Sequence, residues 1–248
     1  MKRSIVIAAA LVSASSFAQV SFTGAYTQDF NTLAPSGLAN PWVNNLPTAS
    51  MPGWYSSQTT YDADDGTLPN PSQYSYGSTT STERALGSLA LPGAFFVYGM
   101  RLNNASGGTY NSLNLSYTGE QWRSGSIFSD LLMFEYSTNA SSLFTGTWTP
   151  VAALNFNAVN FSGSGAINGN LAANQSFLAS TMTGLNWLNG ADMWVRWTHI
   201  GNQSRHGLAI DDIKLSGSTS PVPEPMTIIL GIGAICLAMS RRKVIRTA

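Results

Sequence analysis

Acidic groups and two histidines are the side chains of this chain with the most chemistry to offer. Asp62, Asp64 and Asp65, followed by Gly66, set hard oxygen donors at the close spacing that calcium takes. The order is not that of an EF-hand, because the glycine comes one residue too early and no glutamate closes the loop. A solvated Asp-Gly turn uses the same residues. Asp211 and Asp212 are the second calcium candidate, set against a structural role in which one carboxylate accepts hydrogen bonds from backbone N–H or from Arg196 or Arg205. Glu120 and Glu135 are the glutamates of the strand-rich half, and a carboxylate pair about 5–10 Å apart across a cleft permits glycoside hydrolysis. Glu135, however, is out of phase with Leu132, Phe134 and Tyr136, so ion pairs of Glu120 or Glu135 with Arg123 or Arg101 are expected instead. His199 and His206 flank a Gly-Asn-Gln-Ser turn; two ligands without a third make a weak metal site, and solvated or hydrogen-bonded loop histidines are expected. No Gly-x-Ser-x-Gly elbow, phosphate loop or His-Glu-x-x-His occurs, so no motif supports a hydrolase or nucleotide enzyme. The expectation is a protein without catalysis, the alternative a carbohydrate-active glycosidase or lyase.

Aromatic residues offer a different chemistry. An exposed Trp or Tyr stacks on a sugar ring while Asn, Gln and Asp bond its hydroxyls. Candidates for such contact are Trp54, Tyr55, Tyr61, Tyr74 and Tyr76, all in the stretch Gly53–Glu83, which lacks apolar periodicity and reads as a long functional or poorly ordered loop. Trp194 joins them because it and Trp197 have opposite strand parity, so one of the two faces away from the main core. Trp122, Trp148, Trp187 and Trp197 are expected mostly in the core.

These side chains need a scaffold, and both ends of the chain are set apart from it. Lys2-Arg3, the apolar Ile5–Val12 and Ser16-Phe17-Ala18 read as a secretory signal peptide over 1–18, cleaved before Gln19. At the other end, prolines and Glu224 precede an uncharged apolar run over 226–240, a transmembrane helix shorter than the usual span of about 20 residues. Arg241, Arg242, Lys243 and Arg246 then form a basic tail over 241–246, which belongs on the cytoplasmic side. The single cysteine, Cys236, lies in that apolar run, so the body between the ends has no thiol chemistry and no disulfide. Six basic residues against eleven acidic ones leave this body at −5 although the whole chain is neutral, which argues against nucleic acid as a partner.

Within 19–219, short apolar alternations separated by Gly- and Asn-rich turns predict one all-β domain, a jelly-roll-like antiparallel β-sandwich. Gly24–Leu33 reads as a first strand and turn. Pro35–Pro52 reads as a loop anchored by Trp42 and Leu46. Ala94–Leu102, Leu113–Tyr117, Leu132–Tyr136, Trp148–Phe156, Phe177–Leu185 and Met193–Trp197 read as further strands. In the last strand Leu208 and Ile210 keep one phase and Ile213 and Leu215 the other. A one-residue bulge at Asp211-Asp212 would put all four on one face.

Two resemblances add to this. Val222-Pro223-Glu224-Pro225, the apolar run and Arg241-Arg242-Lys243 resemble, in that order, the PEP-CTERM sorting domain of Gram-negative bacteria, here spanning 220–246. That resemblance implies an exosortase-type enzyme cutting near Pro-Glu-Pro, an inner-membrane intermediate, and delivery to the cell surface or an exopolysaccharide or biofilm matrix. Gly207-Leu208-Ala209-Ile210-Asp211-Asp212-Ile213 is similar to the closing strand of MAM-type and carbohydrate-binding jelly rolls, with Gln28-Asp29-Phe30 placed like their opening strand. A structural, adhesive or glycan-binding role follows from both together. Mass spectrometry of the mature protein is expected to find neither residues 1–18 nor Arg241–Lys243; mature protein that still carries the basic tail would remove the sorting reading.

Overall fold

The computed structural model describes residues 19–44, 51–163 and 165–219. The expected signal peptide, the anchor Leu46 and the sorting segment with Val222, Pro223, Glu224, Pro225, Arg241, Arg242 and Lys243 lie outside the described residues. Among the described residues there is no helix long and apolar enough to cross a membrane.

The described chain is all-β. Its first six strands are β1 (Val20–Phe22), β2 (Ala25–Gln28), β3 (Asn40–Pro41), β4 (Trp54–Ser56), β5 (Thr60–Asp64) and β6 (Ser72–Tyr76). Next come β7 (Ala85–Leu89), β8 (Phe95–Asn104), β9 (Tyr110–Ser124), β10 (Leu131–Ser137) and β11 (Thr149–Pro150). The last are β12 (Phe156–Asn157), β13 (Gly165–Ala166), β14 (Gln175–Trp187), β15 (Asp192–Ile200) and β16 (Gly207–Thr219). One sheet has the order β1-β8-β15-β10-β11, with β4 also on β8 and β12 on β10. The other runs β13-β9-β16-β7-β6-β5-β3, with β14 also on β9 and β2 on β16. Both are mixed and not antiparallel throughout as the sequence predicts, because β1 joins β8 and β5 joins β6 in parallel, a choice of neighbour that alternation along a strand does not encode.

The sheets face one another across the main core in a sandwich-like arrangement, and alternation decides which side chains enter it. Leu113, Leu115 and Tyr117 of β9 and Leu208, Ile210, Ile213 and Leu215 of β16 meet Tyr98, Met100, Val195, Trp197 and Phe134 from the opposite sheet. Trp197 is at the centre, stacked 6.0 Å from Trp54 and edge-on to Phe134 at 5.1 Å and Tyr117 at 5.5 Å. The bulge in β16 is present: against β9 the register slips between Asp211 and Lys214, and Asp212 takes φ 50°.

Two segments differ from the sequence reading. Gly53–Glu83 is not one long loop but carries β4, β5 and β6. Its periodicity is hidden because both sides of β6 are covered. Tyr74 and Tyr76 stack at 4.8 Å on the outside of their sheet, and Tyr76 lies parallel to Trp122 at 6.1 Å. This second, smaller core also takes in Ala85, Leu89 and Ala209. The alternate residues Gln73 and Ser75 face the other way and are buried through hydrogen bonds to Ser56 Oγ, Arg84 and the Ala34 carbonyl. Trp148–Phe156 is likewise not a continuous strand: two short bridges flank a 3₁₀ turn at Ala152–Leu154. Trp42 is buried in the main core as expected.

The aromatic slab lies on small residues. A Cβ added at Gly87 of β7 would stand 2.5 Å from the Leu208 carbonyl oxygen and 2.8 Å from the Tyr76 ring. Gly87→Ala is therefore expected to cost about 1–3 kcal/mol of overpacking, read as a lower urea midpoint with an unchanged slope.

Candidate functional site

The outer face of the β8–β15 sheet gathers aromatic and polar side chains from four distant segments. The alternation that sends Trp197 inward sends Trp194 outward, onto Tyr55 of β4 at a ring distance of 4.6 Å. Arg101 of β8 stands beside them, its Nε donating to Asp192 Oδ2 at 3.0 Å. The loop between β10 and β11 folds back over this face. Thr145 Oγ1 accepts the N–H groups of Ser141 and Ser142, each at 3.0 Å, and Asn139 Oδ1 accepts that of Thr147 at 2.8 Å. Arg196 fastens the loop from below: its guanidinium lies 3.8 Å from the Trp148 ring centre and pairs with Glu135 at 2.7 Å.

Between loop and sheet is a cavity of about 250 Å³ lined by Tyr55, Trp194, Phe144, Arg101, Asn44 and Ser142 among others. Asn44 is held rigidly, accepting from Trp42 Nε1 at 2.9 Å and Ser56 N at 2.8 Å while donating to the Ser56 carbonyl at 3.0 Å. The indole Nε1 of Trp194 is buried without a hydrogen-bond partner. Burial raises the Tyr55 phenol above its usual range against the opposing pull of Arg101, so Tyr55 is a neutral hydrogen-bonding group. At the mouth of the cavity Phe144 is 60% exposed and its ring is 6.4 Å from that of Phe95, which is 46% exposed. The two form an apolar shelf at the rim.

Of the six aromatic candidates, Tyr55 and Trp194 therefore come together at a cavity. Trp54 and Tyr61 belong to the main core, Tyr74 and Tyr76 to the outer slab. Arg101, Asn44, Phe144 and Phe95 carried no signal in the sequence, since the loop that unites them is positioned by Arg196 and the sheet register.

The carboxylates are placed as follows. Asp62 Oδ1 accepts the Ala39 N–H at 2.7 Å, and Asp64 Oδ2 accepts those of Gly66 at 2.8 Å and Leu68 at 3.0 Å. Asp65 takes the Thr79 hydroxyl at 2.9 Å. Asp64 thus braces its own turn, while Asp62 and Asp65 tie that segment to the chain at Ala39 and Thr79. The expected arginine partners differ: Glu135 pairs with Arg196, Arg101 with Asp192, and Glu120 accepts from the Trp122 indole at 2.8 Å. Arg196 is thus occupied elsewhere, and among the described residues neither it nor Arg205 forms an ion pair with Asp211 or Asp212. Instead Asp211, Glu120 and Glu83 approach one another, with a carboxylate oxygen from each within 4.8 Å of the others. Burial first, then mutual repulsion, pushes the Glu120 carboxyl up to about 7, against the pull of the Trp122 hydrogen bond. The same causes push Asp211 well above the usual carboxylate range.

The histidines are not loop residues in solvent. His199 is fully buried in β15, with Nδ1 2.9 Å from Ser88 Oγ and Nε2 3.2 Å from Asp130 Oδ2. Asp130 can only accept, so Nε2 carries the hydrogen and Nδ1 accepts from the serine. Ser, His and Asp are the residues of a hydrolase triad, but Ser88 and His199 are 0% exposed and Asp130 2%. Here they tie β7 of one sheet to β15 of the other. His206 is also buried, accepting at Nδ1 from Gln121 and Gly125 and donating to the Phe128 carbonyl.

No protein-family model and no curated protein matches the chain. Solved structures share its outline at a low level. The tailspike protein 4 enzymatically active domain of bacteriophage CBA120 is 11% identical, with a TM-score of 0.34 over 67% of this chain but 19% of that one. TmCBM61 in complex with β-1,4-galactotriose is 10% identical, with a TM-score of 0.33 over 66% of this chain and 88% of that one. TmCBM27, a carbohydrate-binding module described for specific mannan recognition, is 13% identical, with a TM-score of 0.34 over 67% and 90%.

The titration of Glu120 has a definite sign. Its carboxyl rises from the model-peptide value of 4.5 to about 7 on folding, so between those values the folded state holds a proton that the unfolded state has released. Stability from this group is full below the lower value and falls as pH climbs through the upper one. In chelator, wild-type protein is expected to lose on the order of 3 kcal/mol relative to Glu120→Gln between about pH 4 and pH 8, measured by paired denaturant titrations.

Proposed function

We propose that the body is a non-catalytic glycan-binding domain of an exported protein, presented at the cell surface or in an exopolysaccharide or biofilm matrix. The observation that carries this reading is the cavity beneath the β10–β11 loop, where Tyr55 and Trp194 meet Arg101, Asn44 and Ser142. A sugar ring has an apolar face of C–H groups and an edge of hydroxyls that both donate and accept. The cavity answers both, with aromatic rings for the face and a guanidinium, an amide and a hydroxyl for the edge. At about 250 Å³ it suits one ring, and the Phe144–Phe95 shelf gives the next sugars of a longer chain an apolar surface to lie on.

In this reading the sandwich is a jelly roll with a role like that of a lectin. The segment from Val222 to Lys243 directs it through an inner-membrane intermediate to an exosortase-type enzyme. The body has no cysteine, so outside the cell its stability comes from aromatic burial and not from disulfides.

The test is a glycan array followed by calorimetry on the full chain in mild detergent. Binding to a bacterial polysaccharide or its oligosaccharides is expected. Tyr55→Ala or Phe144→Ala should weaken it about tenfold or more, the equivalent of about 1.4 kcal/mol or more. A blank array from folded protein would leave a passive spacer, and release of reducing ends from a bound polysaccharide would point to the carbohydrate-active enzyme.

A further inference from the structure

We propose that Glu83, Glu120 and Asp211 hold one calcium ion on the outer face of the β9–β16–β7 sheet, remote from the Tyr55–Trp194 cavity. The three come from chain segments that the sheet register brings together. Glu120 of β9 is opposite Ala209 of β16, which makes Asp211, two residues on, its diagonal neighbour on the same face. Glu83 leads into β7, whose Leu86 pairs with Ile210, and so reaches the same spot from the other side. The bulge at Asp212 follows directly on Asp211.

Two observations make this more than an acidic surface. First, Asp211 is 6% exposed and Glu120 3%, and Asp211 Oδ1 is buried with no hydrogen-bond partner although it belongs to the carboxylate trio. A buried carboxyl oxygen left without a partner in that position is costly, and a cation that displaces the proton would meet it. Second, the ion pairs of Arg and Lys among the described residues are Arg101–Asp192 and Arg196–Glu135, so no side-chain cation serves the trio. What the protein supplies is one hydrogen bond to Glu120 from Trp122 Nε1, one to Glu83 from the Asn170 amide and one to the Asp211 carboxyl from the Asp212 backbone N–H. These orient the three carboxylates and leave oxygens over for a metal, Asp211 Oδ1 among them. The Asp62–Asp64–Asp65 turn differs, because backbone N–H and hydroxyl groups already take up its carboxylates.

Size favours calcium. Ligand atoms spread over as much as 4.8 Å can sit on opposite sides of an ion with bonds of about 2.3–2.6 Å. Magnesium, by contrast, asks for near-ideal octahedral geometry at about 2.1 Å and keeps several of its waters, which a cluster of buried carboxylates suits less well. Glu83 is half-buried, so ion and water can enter from its side and complete the coordination. The ion would pin the start of β7 to β9 and to the bulge in β16.

The experiment uses the full chain, stripped with chelator, and follows thermal unfolding with calcium or magnesium added at millimolar concentration. A rise of several degrees with calcium and little with magnesium is expected, lost in Asp211→Asn and in Glu120→Gln. Terbium replacing calcium should give emission sensitised by the adjacent Trp122 indole, suppressed by calcium and by the milder Glu83→Gln. No stabilisation and no sensitised emission in wild type would overturn the proposal. So would a calcium response that survives in all three variants, or an equal response to magnesium.

Discussion

Strand β16 has to satisfy two constraints at once. Along one side it is hydrogen-bonded to β9 through most of its length; along the other it is bonded first to β7 and then to β2. Its side chains must also keep facing the opposite sheet while the neighbour changes. A regular strand cannot do both here, because Leu208 and Ile210 are out of phase with Ile213 and Leu215. The extra residue at Asp212 absorbs the slip, and all four apolar side chains stay in the main core. The handover from β7 to β2 occurs at the bulge, and Asp211 is held in place beside it.

The sheets are covered on more than the side that faces the core. Outside one, Tyr74, Tyr76 and Trp122 form a slab over glycine and alanine; outside the other, Tyr55, Val97 and Trp194 pack beneath the β10–β11 loop. Such double burial is how a chain without disulfides assembles enough apolar contact from short strands. It also brings polar side chains inside, where each needs a partner. The Ser88–His199–Asp130 tie, the Gln121–His206 pair and the bond between Ser56 and Gln73 meet that need across strands and loops. Networks of this kind fix the relative position of the parts they join, because a shifted arrangement would leave buried groups unpaired.

The cavity beneath the loop follows from the same arrangement. Arg196 is bonded to Glu135 within its own sheet and stacked on Trp148 of the loop, so one side chain sets the roof height above Tyr55 and Trp194. The exposed Phe144 is carried on that roof. Recognition at this face therefore depends on a loop that is rigid because its serine, threonine and asparagine side chains are spent on its own backbone.

Local pattern was enough to specify the all-β class, the strands that alternate cleanly, the outward turn of Trp194 relative to Trp197, and the bulge at Asp211-Asp212. Each of these is a matter of parity along a single strand, which a sequence carries in full. Parity could not reveal β4 and β6, since strands covered on both sides lose the contrast between apolar and polar faces, nor β5, where Tyr61 alone is buried. Nor could it reveal partners. Arg196 with Glu135, His199 with Ser88 and Asp130, Glu83 with Glu120 and Asp211, and Tyr55 with Phe144 are each separated by scores of residues and meet only through sheet order and register. Those depend on how the whole chain pairs and packs, so the three-dimensional fold alone decided which of the chemically capable residues became neighbours.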